Sequence, residues 1–85
     1  MSEVNWVLTA RARRDLSRAD RQVQRRIVAS LDRLVADPQG SDVKKLTGRQ
    51  EEWRLRVGDW RVRFTREADT IYVLRVLPRG RAYRD

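Results

Sequence analysis

The stretch WRLRVGDWRVRF, residues 53–64, decides the fold of this chain. Apolar and basic side chains alternate on both sides of Gly58-Asp59, which predicts two β-strands joined by a two-residue turn with glycine first, as a type II′ turn prefers. The turn sets the register of the two strands. On one face Val57 lies opposite Trp60, Leu55 opposite Val62 and Trp53 opposite Phe64. The other face carries only arginine, with Arg56 opposite Arg61 and Arg54 opposite Arg63.

A third strand is predicted downstream, at residues 70–77, where apolar side chains again dominate. A three-residue loop at 67–69 would join it to the second strand. With this register the core residues of the third strand are Tyr72, Leu74 and Val76. The same register places Arg75 beside Arg61.

Upstream, residues 3–8 predict a first strand and residues 9–36 predict two helices. Thr9 and Asp20 are suitable N-cap residues, and apolar residues follow each at helical spacing. Asp37-Pro38-Gln39-Gly40 ends the second helix, and residues 39–50 are predicted as a loop. The predicted fold class is α+β: an N-terminal strand, a two-helix hairpin and a three-stranded antiparallel meander, with the helices packed on one face of the sheet.

Length and composition narrow the possible chemistry. The chain has 85 residues, which predicts a single domain spanning residues 1–85. It contains no Cys and no His, so thiolate metal sites, a cysteine nucleophile and an imidazole base are excluded, and neither a metal nor a cofactor is expected. The longest apolar run, at residues 71–74, is far shorter than the roughly 18 residues of a membrane span, and no signal peptide is seen. We expect a cytoplasmic protein.

Positive charge is concentrated in the second half of the chain. Residues 1–43 carry 8 basic and 6 acidic side chains, whereas residues 44–84 carry 12 and 5. Of the 20 basic residues 18 are Arg, whose planar guanidinium matches the oxygens of a phosphate. Opposed arginines on neighbouring strands repel one another by about 0.2–1 kcal/mol per pair. An anionic ligand is therefore predicted for the arginine face. The helix arginines, Arg26 among them, are predicted to be a solvated outer face, with contact to ribosomal RNA as the alternative. Trp6, Trp53 and Trp60 are predicted to be core.

Three segments together resemble the RelE/ParE superfamily of toxins from bacterial toxin-antitoxin modules: KKLTG at 44–48, WRLRVGDWRV at 53–62 and VLPRGRAY at 76–83. The resemblance spans nearly the whole chain and includes ARRDL at 12–16. Members of the RelE branch are messenger RNA endonucleases that usually cut within the ribosomal A site, and members of the ParE branch poison DNA gyrase. The RelE-like branch is favoured here, because Arg79 and Tyr83 follow the arginine face.

The RelE-like resemblance implies metal-independent attack of a ribose 2′-hydroxyl on the adjacent phosphate. The catalytic residues it implies are Arg54, Arg56, Arg61, Arg79 and Tyr83. Preorganised guanidinium groups stabilise charge that develops on phosphate oxygens, which suits Arg56 and Arg61 near the turn, while Tyr83 would stack on a base or orient the nucleophile. Further RNA and phosphate contacts are predicted for Lys44, Lys45, Arg63, Arg75 and Arg81.

The proton acceptor stays open at this stage. Arginine stays protonated in proteins and is therefore a poor general base, and the chain has no histidine. The candidates are Tyr83, Glu51, Glu52, Lys44 and Lys45. For Glu51 and Glu52, which come just before the first strand of the hairpin, a solvated loop end is the simpler interpretation.

The predicted partners are messenger RNA, held in the ribosomal A site, and a cognate acidic antitoxin that covers the basic face. The alternative is a ParE-like gyrase inhibitor that acts by protein contact without chemistry of its own. A catalytically silent module that binds RNA or a protein partner is a third possibility.

Overall fold

The computed structural model describes residues 5–46 and 52–79. Within these residues the chain forms five strands, two α-helices and a short 3₁₀ helix. In chain order the elements are β1 (Asn5–Leu8), α1 (Ala10–Ser17), α2 (Arg21–Ala36), the 3₁₀ helix (Pro38–Gly40), β2 (Val43–Lys45), β3 (Glu52–Val57), β4 (Trp60–Glu67) and β5 (Thr70–Pro78). The predicted α+β class, with its N-terminal strand, two helices and meander, is confirmed.

The five strands form one mixed sheet in the order β1-β5-β4-β3-β2. β1 is parallel to β5, and the other neighbouring pairs are antiparallel. β2 lies in the segment that the sequence predicts as a loop, so that prediction was wrong for residues 43–45. A strand of three residues is too short to show a period of two, which is why the pattern did not reveal it.

Both helices begin at the predicted caps. The Thr9 side chain accepts a hydrogen bond from the Ala12 backbone N–H at 3.2 Å, and the Asp20 carboxylate accepts one from the Val23 N–H at 2.9 Å. Such caps stabilise a helix by roughly 1 kcal/mol each. These caps fix the start of α1 directly after β1 and the start of α2 directly after α1.

The hydrophobic core lies between the helices and one face of the sheet. Its helix residues are Ala12, Ile27, Leu31 and Leu34, and its sheet residues are Leu55, Val57, Val62, Phe64, Ile71, Val73 and Val76. Trp6, Trp53 and Trp60 are partly buried against this core, as the sequence predicts. In the described part of the chain, neither helix has the length and apolar composition needed to cross a membrane.

The β3–β4 hairpin confirms the predicted register. Val57 pairs with Trp60, Leu55 with Val62 and Trp53 with Phe64, while Arg56 pairs with Arg61 and Arg54 with Arg63. Gly58 has a φ of +59° and Asp59 has a negative φ, as a type II′ turn requires. The sheet face opposite the helices therefore carries the arginines, and we call it the arginine face.

The β4–β5 hairpin differs from the prediction by one residue. Its turn has two residues rather than three, because Glu67 pairs with Thr70 and Ala68 adopts a left-handed φ of 53°. Side chains alternate between faces along a strand, so this single shift turns Ile71 and Val73 into the core in place of Tyr72 and Leu74.

A β-bulge in the same hairpin restores the phase farther along β5. Phe64 pairs with Val73 but Arg63 pairs with Arg75, so Leu74 is the extra residue. Val76 is consequently buried in the core, as predicted. Arg75 lies opposite Arg63 rather than Arg61, and Leu77 takes the place opposite Arg61.

Candidate phosphate-binding site

Arg61 is the buried centre of the arginine face. Only 7% of this residue is exposed. Its Nη1 donates hydrogen bonds to the carbonyl oxygens of Gly58 at 2.9 Å and Trp60 at 3.0 Å, which fix the guanidinium beside the turn. Its Nε is buried and has no hydrogen-bond partner among the described residues. A buried donor left without an acceptor costs roughly 1–3 kcal/mol.

The pKa of Arg61 is lowered by its surroundings. Burial lowers this pKa most strongly, because a guanidinium loses hydration inside the protein. The charges of Arg56, Arg54 and Arg79 lower it further, in that order. Four sequence-predicted catalytic arginines are therefore brought close enough to act on one another.

Arg79 is tied to the hairpin turn by its backbone. Its N–H donates to the carbonyl oxygen of Asp59 at 2.7 Å, which carries the pairing of β4 and β5 one residue past the end of β5. The Arg79 side chain is exposed. The turn thus positions Arg79 at the same end of the sheet as Arg56 and Arg61.

Arg56 is the exposed member of this cluster. Its side chain is 55% exposed, and its Nε lies 4.0 Å from the carboxylate of Asp42, which is itself 62% exposed. An ion pair between two exposed groups at that distance contributes little. We call Arg56, Arg61 and Arg79 the hairpin-tip cluster.

Two other arginines of the face are held by buried carboxylates. Arg63 is 6% exposed, and its Nε donates to Glu52 Oε1 at 2.5 Å. Arg75 donates from Nε to Asp15 Oδ2 at 2.8 Å and from Nη2 to Asp15 Oδ1 at 3.3 Å. Both were predicted to contact RNA, and the structure places both in ion pairs instead of at the open end of the face.

Glu52 also corrects a sequence-based interpretation. Its position just before the predicted strand suggested a solvated loop end, yet it is the first residue of β3 and only 8% exposed. The acidic partners of the arginine face were missed because Glu52 was placed outside the strand and because Asp15 reaches β5 from α1. Asp15 lies in the ARRDL segment, but the residue that it contacts, Arg75, is 60 positions farther along the chain.

The two lysines of β2 lie on opposite faces of the sheet. Lys44 pairs with Arg54 and so extends the arginine face, whereas Lys45 pairs with Trp53. The Lys45 Nζ lies 5.8 Å from the centroid of the Trp53 ring, a cation–π contact on the helix-covered face. Lys45 is therefore not brought together with the other predicted phosphate ligands.

Three predicted residues lie outside the described part of the chain: Glu51, Arg81 and Tyr83. Among residues 5–46 and 52–79, no acidic side chains are grouped so that they could hold a metal ion. One helix arginine comes close to the site without having been predicted to do so. Arg26 of α2 lies against Gly58, and its Nη2 would be 2.9 Å from a Cβ built on that glycine.

Residues 7–83 match the family described as the ParE toxin of the type II toxin-antitoxin system, parDE. The chain belongs to this family. It is thus a toxin of the RelE/ParE superfamily, as its sequence segments suggested. Among curated protein sequences, none matches the toxin.

Solved structures of related toxins share the fold. The RelE–RelB complex of Pyrococcus horikoshii is 28% identical, with a TM-score of 0.74 over 96% of this toxin and 100% of that chain. The RelB–RelE complex of Methanococcus jannaschii is 25% identical, with a TM-score of 0.76 over 91% and 94%. The RelBE2 complex of Mycobacterium tuberculosis is 24% identical, with a TM-score of 0.78 over 92% and 100%, and this likeness concerns the fold.

The arginine face of the toxin has two chemically different halves. In one half, Arg63 and Arg75 are neutralised by Glu52 and Asp15. In the other, no carboxylate of the described residues forms an ion pair with Arg61 or Arg79. Fixed positive charge in a partly buried site stabilises negative charge that develops during a reaction. The hairpin-tip cluster is therefore suited to hold a phosphate.

Proposed function

We propose that this toxin is a metal-independent endoribonuclease that cleaves messenger RNA in the ribosomal A site and so stops translation in the cytoplasm. One observation carries the proposal: the hairpin-tip cluster brings three guanidinium groups together at one end of the sheet, and no carboxylate of the described residues forms an ion pair with Arg61 or Arg79. We take the whole 85-residue chain as the acting unit.

The proposed reaction is attack of a ribose 2′-oxygen on the adjacent phosphorus. The bond from phosphorus to the 5′-oxygen breaks, which leaves a 2′,3′-cyclic phosphate and a 5′-hydroxyl. The 2′-hydroxyl loses its proton, and the departing 5′-oxygen gains one. Arg61 and Arg56 would stabilise the charge on the non-bridging oxygens. Arg79 would hold the phosphate from the β5 side of the cluster, and Arg54 would hold a flanking phosphate.

Positioning and charge stabilisation carry most of the proposed rate enhancement. Among the predicted proton acceptors, Glu52 is engaged by Arg63 and Lys45 lies over Trp53, which leaves Lys44, Glu51 and Tyr83. We assign Tyr83 the task of orienting the 2′-hydroxyl or stacking on a base, as its place in the VLPRGRAY segment suggests.

The related complexes support a protein partner. The toxins from P. horikoshii and M. jannaschii are seen bound to RelB. We propose that a cognate acidic antitoxin neutralises this toxin in the same way and covers the hairpin-tip cluster.

A second candidate function follows from the family match. Residues 7–83 match the ParE family, and a gyrase inhibitor that acts by protein contact would need no catalytic group. In that function the arginine face would bind an acidic surface instead of RNA.

One induction experiment separates the two functions. The natural toxin and the Arg61→Ala variant are induced briefly in a bacterial host, and translation, message 5′-ends and DNA supercoiling are compared. Arg25→Ala serves as the control, because Arg25 is exposed on α2. We expect new message ends and arrested translation with the natural toxin and the control, and neither with Arg61→Ala. Intact messages together with a DNA damage response would replace the ribonuclease with the gyrase inhibitor.

A further inference from the structure

Arg26 approaches the hairpin turn from the helix-covered side of the sheet. Its Nη2 would lie 2.9 Å, and its Cζ and Nη1 3.5 Å, from a Cβ built on Gly58. The guanidinium therefore occupies the space that a side chain at position 58 would fill. Glycine at this position has two roles: it allows the positive φ of the turn, and it admits the Arg26 guanidinium to the turn backbone.

Arg26 and Arg61 contact the same turn residue from different directions. Arg61 Nη1 donates to the Gly58 carbonyl oxygen at 2.9 Å, while Arg26 lies against the Cα of that residue. With standard covalent distances inside Gly58, the two guanidinium groups are no more than about 10 Å apart. One bound anionic chain can therefore interact with both.

The charge of Arg26 has no acidic counterpart in the described part of the chain. No carboxylate of these residues forms an ion pair with it, which contrasts with Arg63 and Arg75 on the arginine face. An exposed arginine on a helix is ordinarily solvated and mobile. This one lies against a backbone turn that also accepts hydrogen bonds from Arg61 and from the Arg79 backbone.

We propose that Arg26 is a further RNA-binding residue, which holds the phosphate chain of a single-stranded RNA where that chain crosses the tip of the β3–β4 hairpin. Arg61 and Arg79 bind the chain on one side of the turn and Arg26 binds it on the other. The proposal rests on the proposed function in taking RNA as the ligand. It adds a contact outside the arginine face and lengthens the site by about one phosphate.

Binding without cleavage tests this proposal separately from the ribonuclease activity. The probe is a fluorescein-labelled decanucleotide with 2′-O-methyl groups throughout, which has no attacking hydroxyl. Its dissociation constant is measured by fluorescence anisotropy at several KCl concentrations for the natural toxin and for Arg26→Gln. Each phosphate contact on a single strand contributes about −0.7 to the slope of log K against log salt. We expect Arg26→Gln to make the slope shallower by about 0.7, which corresponds to roughly fivefold weaker binding at 0.1 M salt.

Two matched variants identify the source of any change. Arg25→Gln removes the same charge from the neighbouring position of α2, where the side chain is exposed. Arg56→Gln removes an exposed charge of the hairpin-tip cluster and tests whether RNA binds there at all. Thermal unfolding of each variant establishes that it is folded.

The expected result is a shallower slope for Arg26→Gln and Arg56→Gln and a smaller change for Arg25→Gln. If Arg56→Gln weakens binding while Arg26→Gln behaves like Arg25→Gln, RNA binds the cluster and the role of Arg26 is refuted. If neither Arg56→Gln nor Arg26→Gln changes the slope, the cluster is not the RNA site, and the proposed function fails together with the role of Arg26.

Discussion

Replacing Asp15 with asparagine should destabilise the toxin by about 3 kcal/mol. The Asp15 side chain is 9% exposed and accepts three hydrogen bonds, two from Arg75 and one from the Val76 backbone N–H at 3.0 Å. Removing one partner of a buried ion pair costs roughly 3–5 kcal/mol, because the other charge is left without compensation. Asparagine keeps one oxygen that can still accept from Val76, so the lower end of that range applies.

Urea unfolding followed by tryptophan fluorescence measures this change. With an m-value of about 1.5 kcal/mol per M, a loss of 3 kcal/mol lowers the midpoint by about 2 M and leaves m unchanged. The melting temperature should fall by at least about 12 °C. The control is Asp42→Asn, which removes an exposed carboxylate 4.0 Å from Arg56 and should change stability by less than about 0.5 kcal/mol.

A second substitution tests whether the loss of stability arises from the charge of Arg75. Adding Arg75→Met to Asp15→Asn removes the guanidinium that Asp15 no longer neutralises, and should restore about 1–2 kcal/mol. A loss below 1 kcal/mol for Asp15→Asn, or a double variant less stable than the single one, would refute the reasoning. The first outcome would mean that the contact between α1 and β5 owes its stability to packing, and the second that Arg75 has stabilising contacts besides Asp15.

Three further predictions concern the turn, the lysines and the anion site. Ala68→Gly should raise the free energy of unfolding by about 0.5 kcal/mol, because glycine adopts the φ of 53° without the strain of alanine; a lower urea midpoint would contradict this. Lys44→Ala should weaken binding of the 2′-O-methyl probe about two- to fivefold, because Lys44 lies beside Arg54 on the arginine face. Lys45→Ala, on the other face, should leave binding nearly unchanged. Equal effects in anisotropy titrations would place both lysines in the site. Sulfate that binds the cluster with a dissociation constant of about 10 mM should, at about 50 mM, raise the melting temperature by about 4 °C relative to chloride of equal ionic strength. Arg56→Gln should reduce this difference. The same rise in both proteins would mean general salt stabilisation.

The sequence predicted the parts of the fold that depend on local patterns. The β3–β4 register followed from the alternation of residues 53–64 and from a turn whose glycine comes first. The helix starts followed from Thr9 and Asp20, whose side chains accept the hydrogen bonds expected of N-caps. Each of these features is decided by residues within a few positions of one another.

The features that were missed depend on contacts or conformations without a local signal. Ala68 takes a φ that usually indicates glycine, so a two-residue turn was not recognised there. The three residues of β2 show no period, and their pairing with β3 defines them as a strand. The carboxylates that neutralise Arg63 and Arg75 come from the start of β3 and from α1. For that reason the sequence overestimated how much of the arginine face is available to an anion.

Because of the bulge at Leu74, the orientation of the side chains in the second half of β5 depends on the length of the β4–β5 turn several residues earlier. Relative to a three-residue turn, the two-residue turn exchanges the core-facing and outward-facing positions of β5, and the extra residue at the bulge exchanges them back. Val76 therefore faces the core and Arg75 the arginine face only because both features are present. Insertion or deletion of one residue at either place would exchange these two faces up to Arg79. Among relatives, the turn and the bulge should therefore change together or not at all, a correlated pair of insertions that aligned sequences can reveal.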